Sequence, residues 1–445
     1  MGVFAGALDL GVLSPALPAL GTTFGVGARE MAWVFTLYLL ANVVAIPITT
    51  QLADRYGRRP IYIFCVATFA AGSILAIVAP TFAVFLTARA IQAAGAGGIF
   101  PVATAAIADR IPPERRGAAL GLVAATWGLA AIIGPLIGGA ITHYLSWHWI
   151  FAANIPLSLV VIALAGRYVP AVAPASRGPL DVAGIALLAV GLLATMSGLT
   201  RLDSQFASTN AWTAHAIVIA VVCFLALIPV ERHAAQPVIA PALLRNRQIM
   251  LTYALEILIG TLEGGLFFVP AALVAAQGIS LVAAGAIASI GAFMFVLVIP
   301  GAGRALDAVG SRSVLAAGTA LTSTGLLLFA FGMGSVAGAV AAMIVAGIGF
   351  GALLGAPTRY IVTREVDESQ RATAVGLLSI FLIIGQIVGA ALAGGIAGTT
   401  PGQTGFVRVY ETFSAIAVLA LALTSQLKSR GAETHPVALS AAARS

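Results

Sequence analysis

The chain has 445 residues, 60% hydrophobic and only 9% charged, with a mean hydropathy of +1.03. Soluble domains carry about 25% charged residues, so a chain this apolar has too little polar surface to face water. The net charge of +7 and the pI near 9.9 would suit nucleic acid. The basic residues instead lie scattered in short loops between apolar runs, the pattern of membrane topology, and no nucleic-acid partner is expected.

Fourteen apolar runs follow in chain order, approximately 3–20, 31–50, 61–79, 82–103, 117–141, 149–167, 180–199, 213–230, 249–274, 281–302, 313–332, 335–355, 371–397 and 408–426. A helix needs about 20 apolar residues to cross about 30 Å of hydrocarbon, whereas barrel strands would alternate over roughly ten residues. The expected class is an all-α polytopic membrane protein. The first run lacks a basic segment before it and contains Asp9, so it reads as a span rather than a signal peptide. With the N-terminus inside, 19 Lys and Arg fall in inside loops and 3 outside, at Arg29, Arg201 and Arg408, with Arg89 within a span. Both termini are therefore expected on the cytoplasmic side of the cell membrane. Cys65 and Cys223 fall in apolar runs and read as inert buried thiols.

An internal repeat is visible. "LADRYGRRP" after span 2 and "GRALDAVGSR" after span 10 both read D-x-x-G-x-R. They match Asp54, Gly57 and Arg59 to Asp307, Gly310 and Arg312, at an offset of 253. "ERRGAALGLV" and "SQRATAVGLL" match Arg116 to Arg371 and Gly121 to Gly376, at an offset of 255. The copies lie on one side of the membrane, so the repeats are parallel. Residues 1–167 are expected to form one six-span bundle and 249–427 a second. Residues 168–248 then form a linker with two extra spans, and 428–445 a tail.

Within the first loop, Asp54 is expected to cap the entry to span 3, with Gly57 allowing the reversal and Pro60 in the first helical turn. Arg58 and Arg59 anchor the cytoplasmic side. Pro135 cannot donate a hydrogen bond to the Ala131 carbonyl, so span 5 is expected to bend there. Gly134, Gly138 and Gly139 let another helix approach closely.

These stretches resemble the major facilitator superfamily, in its fourteen-helix drug:proton antiporter branch. "TTQLADRYGRRP" is similar to the family's loop motif, with Thr50 in place of its first Gly. "RAIQAAGAGG" resembles the span-4 motif, keeping Arg89 and Gln92. "GLVAATWGLAAIIGPLIGG" resembles the span-5 antiporter motif, keeping Gly121, Gly134, Pro135, Gly138 and Gly139, with Ala130 for one Gly. "LDLGVLSPALP" resembles the span-1 motif of the branch, with Gly11 and Ser14 for its usual Thr and Asn. "SWHWIFAANIP" resembles a further branch motif, with His148 for Arg. The resemblance implies two six-helix bundles plus two extra central helices. It also implies a charge latch at the Asp54 and Asp307 loops in the outward-open state, and an association of the span-5 motif with antiport.

The stretch "LEILIGTLEGGLFF" places Glu256 and Glu263 on one face of a span, about 10 Å apart along the axis. Each charged carboxylate costs roughly 2.5–3.5 kcal/mol near the bilayer centre. Buried carboxyls change charge by taking a proton, which makes Asp9, Glu256 and Glu263 candidates for proton coupling and cation contact. A purely structural tie between helices is the rival role for each glutamate. Arg89 should face the interior with an acidic or carbonyl partner. Neutral amides at Asp9 and Glu263 are expected to stop proton exchange while folding at least as well as the parent.

No P-loop, metal-ligand spacing or nucleophile–base constellation is present, so neither enzyme chemistry, a metal, a cofactor nor ATP is expected. The expected function is secondary transport by alternating access, with a monomer exporting lipophilic cationic compounds against protons. Phe267, Phe268, Trp33, Tyr38 and Trp127 are candidate aromatic contacts. A lipid or lipid-linked substrate on the same fold, or a membrane sensor with degenerate transport, are the alternatives.

Overall fold

The computed structural model describes residues 1–110, 113–169, 181–200, 211–234, 243–354, 356–367, 370–400 and 402–428. Among these residues there is no strand. Among the described residues, fourteen helical stretches are long and apolar enough to cross a membrane, from span 1 (Gly2–Phe24) to span 14 (Gln403–Thr424). Arg201 and the linker and tail segments 170–180, 201–210, 235–242 and 429–445 lie outside the described residues.

Several helices outrun their apolar stretches. Span 2 runs over Ala28–Tyr56, span 4 over Phe82–Arg110 and span 10 over Leu281–Val309. Their last turns carry charge, including Arg55, Arg110 and Asp307, and hydropathy alone cannot see such turns. They define an arginine-rich end of the bundle. At the opposite end the spans join through short turns such as Gly25 and Gly278.

Backbone conformation repeats with the sequence. Gly25 (φ 66°) and Gly278 (φ 65°) end spans 1 and 9 in the left-handed conformation, 253 residues apart. Gly57 (φ 98°) and Gly310 (φ 84°), also 253 apart, each end one helix and begin the next. A side chain is strained in that region, so glycine is required at both turns. The Asp54 expectation changes here. The span-2 helix runs to Tyr56, and Gly57 occupies the capping position of the span-3 helix (Arg58–Ile77) without a side-chain cap. Asp54 therefore sits in the last turn of span 2, as Asp307 does in span 10, and does not cap span 3. The Asp54 side chain lies outside the described residues. Pro60 does fall in the first turn of span 3.

Packing repeats too. Span 3 lies on span 4 and span 11 on span 12. A Cβ at Gly72 would collide with Gln92, and one at Gly325 with Ala346. Span 1 lies on span 5 and span 9 on span 13. A Cβ at Gly138 would collide with the Val12 carbonyl, and one at Gly389 with the Thr261 carbonyl. Close glycine-mediated approach is the usual way two helices gain van der Waals contact where lipid offers no hydrophobic drive.

The most extensive contacts between the repeats are span 2 with span 13 and span 5 with span 10. At the end opposite the arginines, Leu17, Leu20 and Phe35 share one buried cluster with Phe268, Leu273 and Ala284. Near the arginine-rich end, Tyr62, Cys65 and Val102 form a cluster of the first repeat alone, while Leu255, Leu315 and Leu427 form one of the second. The surplus spans 7 (Val182–Leu199) and 8 (Ala211–His233) pair with each other. Span 7 leans on spans 2 and 13, burying Leu188, Leu192 and Met196 against Leu40, Val43 and Leu378.

Candidate functional site

Spans 1 and 9 are broken at matching places. In span 1 the α-helix stops at Leu13, passes through a tight turn at Ser14–Ala16 and resumes at Leu17. In span 9 it stops at Leu266 and resumes at Val269. Pro15, Pro18 and Pro270 lack the N–H that an unbroken helix needs. The breaks meet between the repeats, where Ser14 Oγ donates to the Phe267 carbonyl oxygen, 253 residues away. Phe35 of span 2 stacks on Phe267 with ring centroids 4.5 Å apart. Phe268 is buried behind it.

Asp9 lies in span 1 on the arginine-rich side of its break, 2% exposed. Arg89 of span 4 is fully buried, and its Nη1 lies 2.5 Å from Asp9 Oδ2. Gln92 Nε2 donates to Asp9 Oδ1 at 2.8 Å, and Asn154 Nδ2 of span 6 donates to the same oxygen at 3.2 Å. Gln92 and Asn154 also both donate to Ser73 Oγ of span 3. The Arg89 guanidinium sits over the Tyr38 ring, 4.2 Å from its centroid, a cation–π contact. Spans 1, 2, 3, 4 and 6 thus converge on one buried charge pair. Arg89 has the acidic partner its burial demands. That pairing reverses the folding expectation for Asp9, because an amide there would leave Arg89 as an uncompensated buried cation.

Glu263 lies in span 9 one turn from the break, on the same face as Phe267. Its hydrogen-bonding neighbour is the Gln386 side chain of span 13. Its Oε2 is buried and has no hydrogen-bond partner. Glu256, 5% exposed, faces the Thr358 hydroxyl, with Arg359 and Glu263 the charges near it. The structure therefore separates the acids. Asp9 belongs to the first repeat with Arg89, and the two glutamates belong to the second without it.

The span-5 motif lies where three helices meet. Gly134 and Gly138 admit the backbone of span 1 at Gly11 and Val12, and Gly139 admits the Leu281 carbonyl of span 10. Pro135 lies inside a helix that continues over Pro113–Tyr144, with its carbonyl against Gly285 of span 10. The surroundings of Gly121 lie outside the described residues. Arg58 and Arg59 open span 3, and Arg312 is the second residue of the span-11 helix (Ser311–Gly332), after Gly310.

Gln92, Asn154, Ser73 and Phe35 were not singled out by sequence as site residues. Their signal was faint, since a neutral polar group or another Phe in an apolar span carries no topological penalty. Gln92 and Asn154 did stand within the quoted motifs. Of the aromatic candidates, Tyr38 and Phe267 join the two sites. Trp127 pairs edge-on with Phe100 on an exposed face.

Comparison with known proteins agrees with this architecture. The sequence profile described as Major Facilitator Superfamily matches residues 1–262 and again 249–437. The chain belongs to the major facilitator superfamily. Its fourteen spans fit the drug:proton antiporter branch. It is 34% identical over 400 residues to an uncharacterized MFS-type transporter, YfiU, of Bacillus subtilis, covering 86% of this chain and 76% of that one. It is 27% identical over 448 residues to the multidrug transporter protein MdtP of the same organism, covering 98% and 81%. With multidrug resistance protein 3 of that organism it shares 30% identity over 290 residues, 64% of this chain and 56% of the relative. Its fold is similar to the nucleoside transporter NupG, with a TM-score of 0.69 at 16% identity over 96% of this chain and 99% of that one. A POT family peptide transporter gives 0.67 at 15% identity, covering 96% and 97%. The chain is a multi-pass membrane transporter.

Proposed function

We propose that this transporter exports lipophilic cations in exchange for protons, by alternating access between the bundles of residues 1–167 and 249–427. The observation that carries the reading is Glu263, whose buried, unpartnered carboxyl oxygen lies one turn below the Phe35–Phe267 stack between the repeats. Aromatic faces attract a cation and accommodate its apolar body. A carboxylate supplies the opposite charge, and the proton is its natural competitor. The relatives named as multidrug transporters support a drug-like substrate. The arginine distribution supports a cytoplasmic location for both termini in the cell membrane. The energy source is then the proton gradient, with no cofactor or metal.

The test is flux of ethidium, a planar lipophilic cation, in proteoliposomes with an imposed pH gradient. Ethidium movement should follow the gradient's direction and fall at least tenfold in Glu263→Gln. Flux indifferent to pH defeats proton exchange. Movement of labelled phospholipid in place of ethidium favours the lipid alternative.

A further inference from the structure

Spans 11 and 14 are held together near mid-span. Ser323 Oγ donates to the Ser414 carbonyl oxygen at 3.1 Å, and Ser414 Oγ donates back to the Ser323 carbonyl oxygen at 3.0 Å. About two turns further toward the arginine-rich end, the two spans present the small residues Ala316 and Ala422. A groove of about 390 Å³ lies there, with Ala316 on one wall, Val418, Leu421 and Ala422 on the other, and Arg312 at the arginine-rich end. The hydroxyls of Thr424 and Ser425, which also border it, are turned to the Leu421 and Ala422 carbonyls of their own helix. The walls are therefore apolar. Leu315, Ala420 and Leu427 lie in the core of the second repeat, while Val418 is 55% exposed. Spans 11 and 14 make no extensive contact with the first repeat, so the groove opens sideways to the bilayer.

The charge at its end is uncompensated. Arg312 is the second residue of span 11, where the helix already presents its positive pole. Gly310, at the capping position, brings no side chain to that pole. Among the described residues Arg312 has no ion-pair or hydrogen-bond partner, and Asp307 of the same loop does not pair with it. Lys428, just beyond span 14, is taken by Glu365 at 2.5 Å.

We infer that this groove binds an anionic phospholipid from the leaflet on the arginine-rich side, with its phosphate on Arg312 and an acyl chain along Ala316, Leu421 and Ala422. A guanidinium pairs with phosphate oxygens through two parallel N–H donors. Basic pockets between membrane helices hold anionic headgroups by this means. The chain adds van der Waals contact where the two spans no longer supply it to each other. A zwitterionic headgroup would bring its own ammonium beside Arg312 and lose the charge preference. The bound lipid bridges spans 11 and 14 below the Ser323–Ser414 contact. The inference asks nothing of Glu263 and stands apart from the transport cycle proposed above.

The test uses phosphatidylglycerol with a photoactivatable diazirine in its acyl chain, at trace level in phosphatidylcholine liposomes that contain the full chain. After irradiation, peptide mass mapping should find the label around Ala316 and around Leu421 and Ala422. It should exceed the label from a phosphatidylcholine probe of the same chain by about fivefold, the preference that one arginine near the surface gives an anionic lipid. Arg312→Gln should bring the two probes level. Ala422→Phe, which fills the groove and keeps Arg312, should reduce labelling by both probes there to background. Arg408→Gln removes the same charge at the opposite end, where Arg408 donates to Thr400, and should change nothing. Equal labelling by the two probes in the parent overturns the inference, and that comparison needs no variant. So does a preference that survives Arg312→Gln, or labelling that survives Ala422→Phe. Inorganic phosphate at matched ionic strength should not displace the label, and displacement would reduce the groove to a site for free anions and defeat the lipid assignment.

Discussion

A buried ion pair is asymmetric in what its loss does. Replacing Asp9 by Asn keeps the shape but removes the charge facing Arg89. Breaking such a pair on one side costs about 3–5 kcal/mol. Asp9→Asn should therefore lower the unfolding temperature and the yield of monodisperse protein, and Asp9→Asn/Arg89→Met should recover most of both. A single variant as stable as the parent would mean that Arg89 finds another anion. Glu263→Gln carries no such debt, since Glu263 faces a neutral Gln386. Its unfolding temperature should match or exceed that of the parent. These residues also mark the limits of the sequence. Asp9, Arg89, Glu256 and Glu263 were legible because a charge in an apolar run is expensive. Their pairing was not, because it depends on which faces of spans 1, 4 and 6 meet, and spans this uniformly apolar carry little facial signal.

Among elements, glycine and proline carry the information that hydropathy lacks. The repeat was legible from the D-x-x-G-x-R loops, and Gly57 and Gly310 adopt matching conformations there. A side chain in that region costs about 1–3 kcal/mol. Gly57→Ala and Gly310→Ala should each lower the unfolding temperature, and by similar amounts, since the turns are alike. Ala at a neutral glycine such as Gly301, which has open space around it, should be harmless by comparison. The breaks in spans 1 and 9 were less legible. Prolines within membrane helices are common, and nothing in the sequence says that Ser14 reaches across to Phe267. Helix ends were misplaced for a related reason, because charged turns beyond the hydrocarbon remain helical. The Ser14 hydroxyl joins the repeats at the end where they also share a hydrophobic cluster. A hydrogen bond of this kind contributes about 1 kcal/mol. Ser14→Ala should shift the molecule about fivefold toward opening at that end, measured as faster labelling of a cysteine placed at Phe267. Unchanged labelling would assign the closure to the apolar contacts alone.

For the molecule as a whole, the buried clusters show where the repeats meet. One unites them at the end opposite the arginines and a second packs span 2 against spans 9 and 13 beside span 7, while toward the arginine-rich end each repeat also keeps a core of its own. The alternating access proposed above would require that the first shared cluster part and re-form in every cycle. Phe35 and Phe267 mark its centre, with rings 4.5 Å apart and one on each side of the divide. In a Cys65→Ala/Cys223→Ala background, the pair Phe35→Cys/Phe267→Cys joined by a short bifunctional thiosulfonate should hold that end closed. Both native cysteines are buried, so their removal isolates the engineered pair. Ethidium flux should fall below about a tenth of the unlinked level, and a reductant should restore it, since the two bundles can then separate. The same reagent on either single variant should leave flux near its starting level, which separates tethering from mere crowding of the path. Full flux through a quantitatively linked double variant would show that this end never opens, and the exchange of access would have to be sought elsewhere in the bundle.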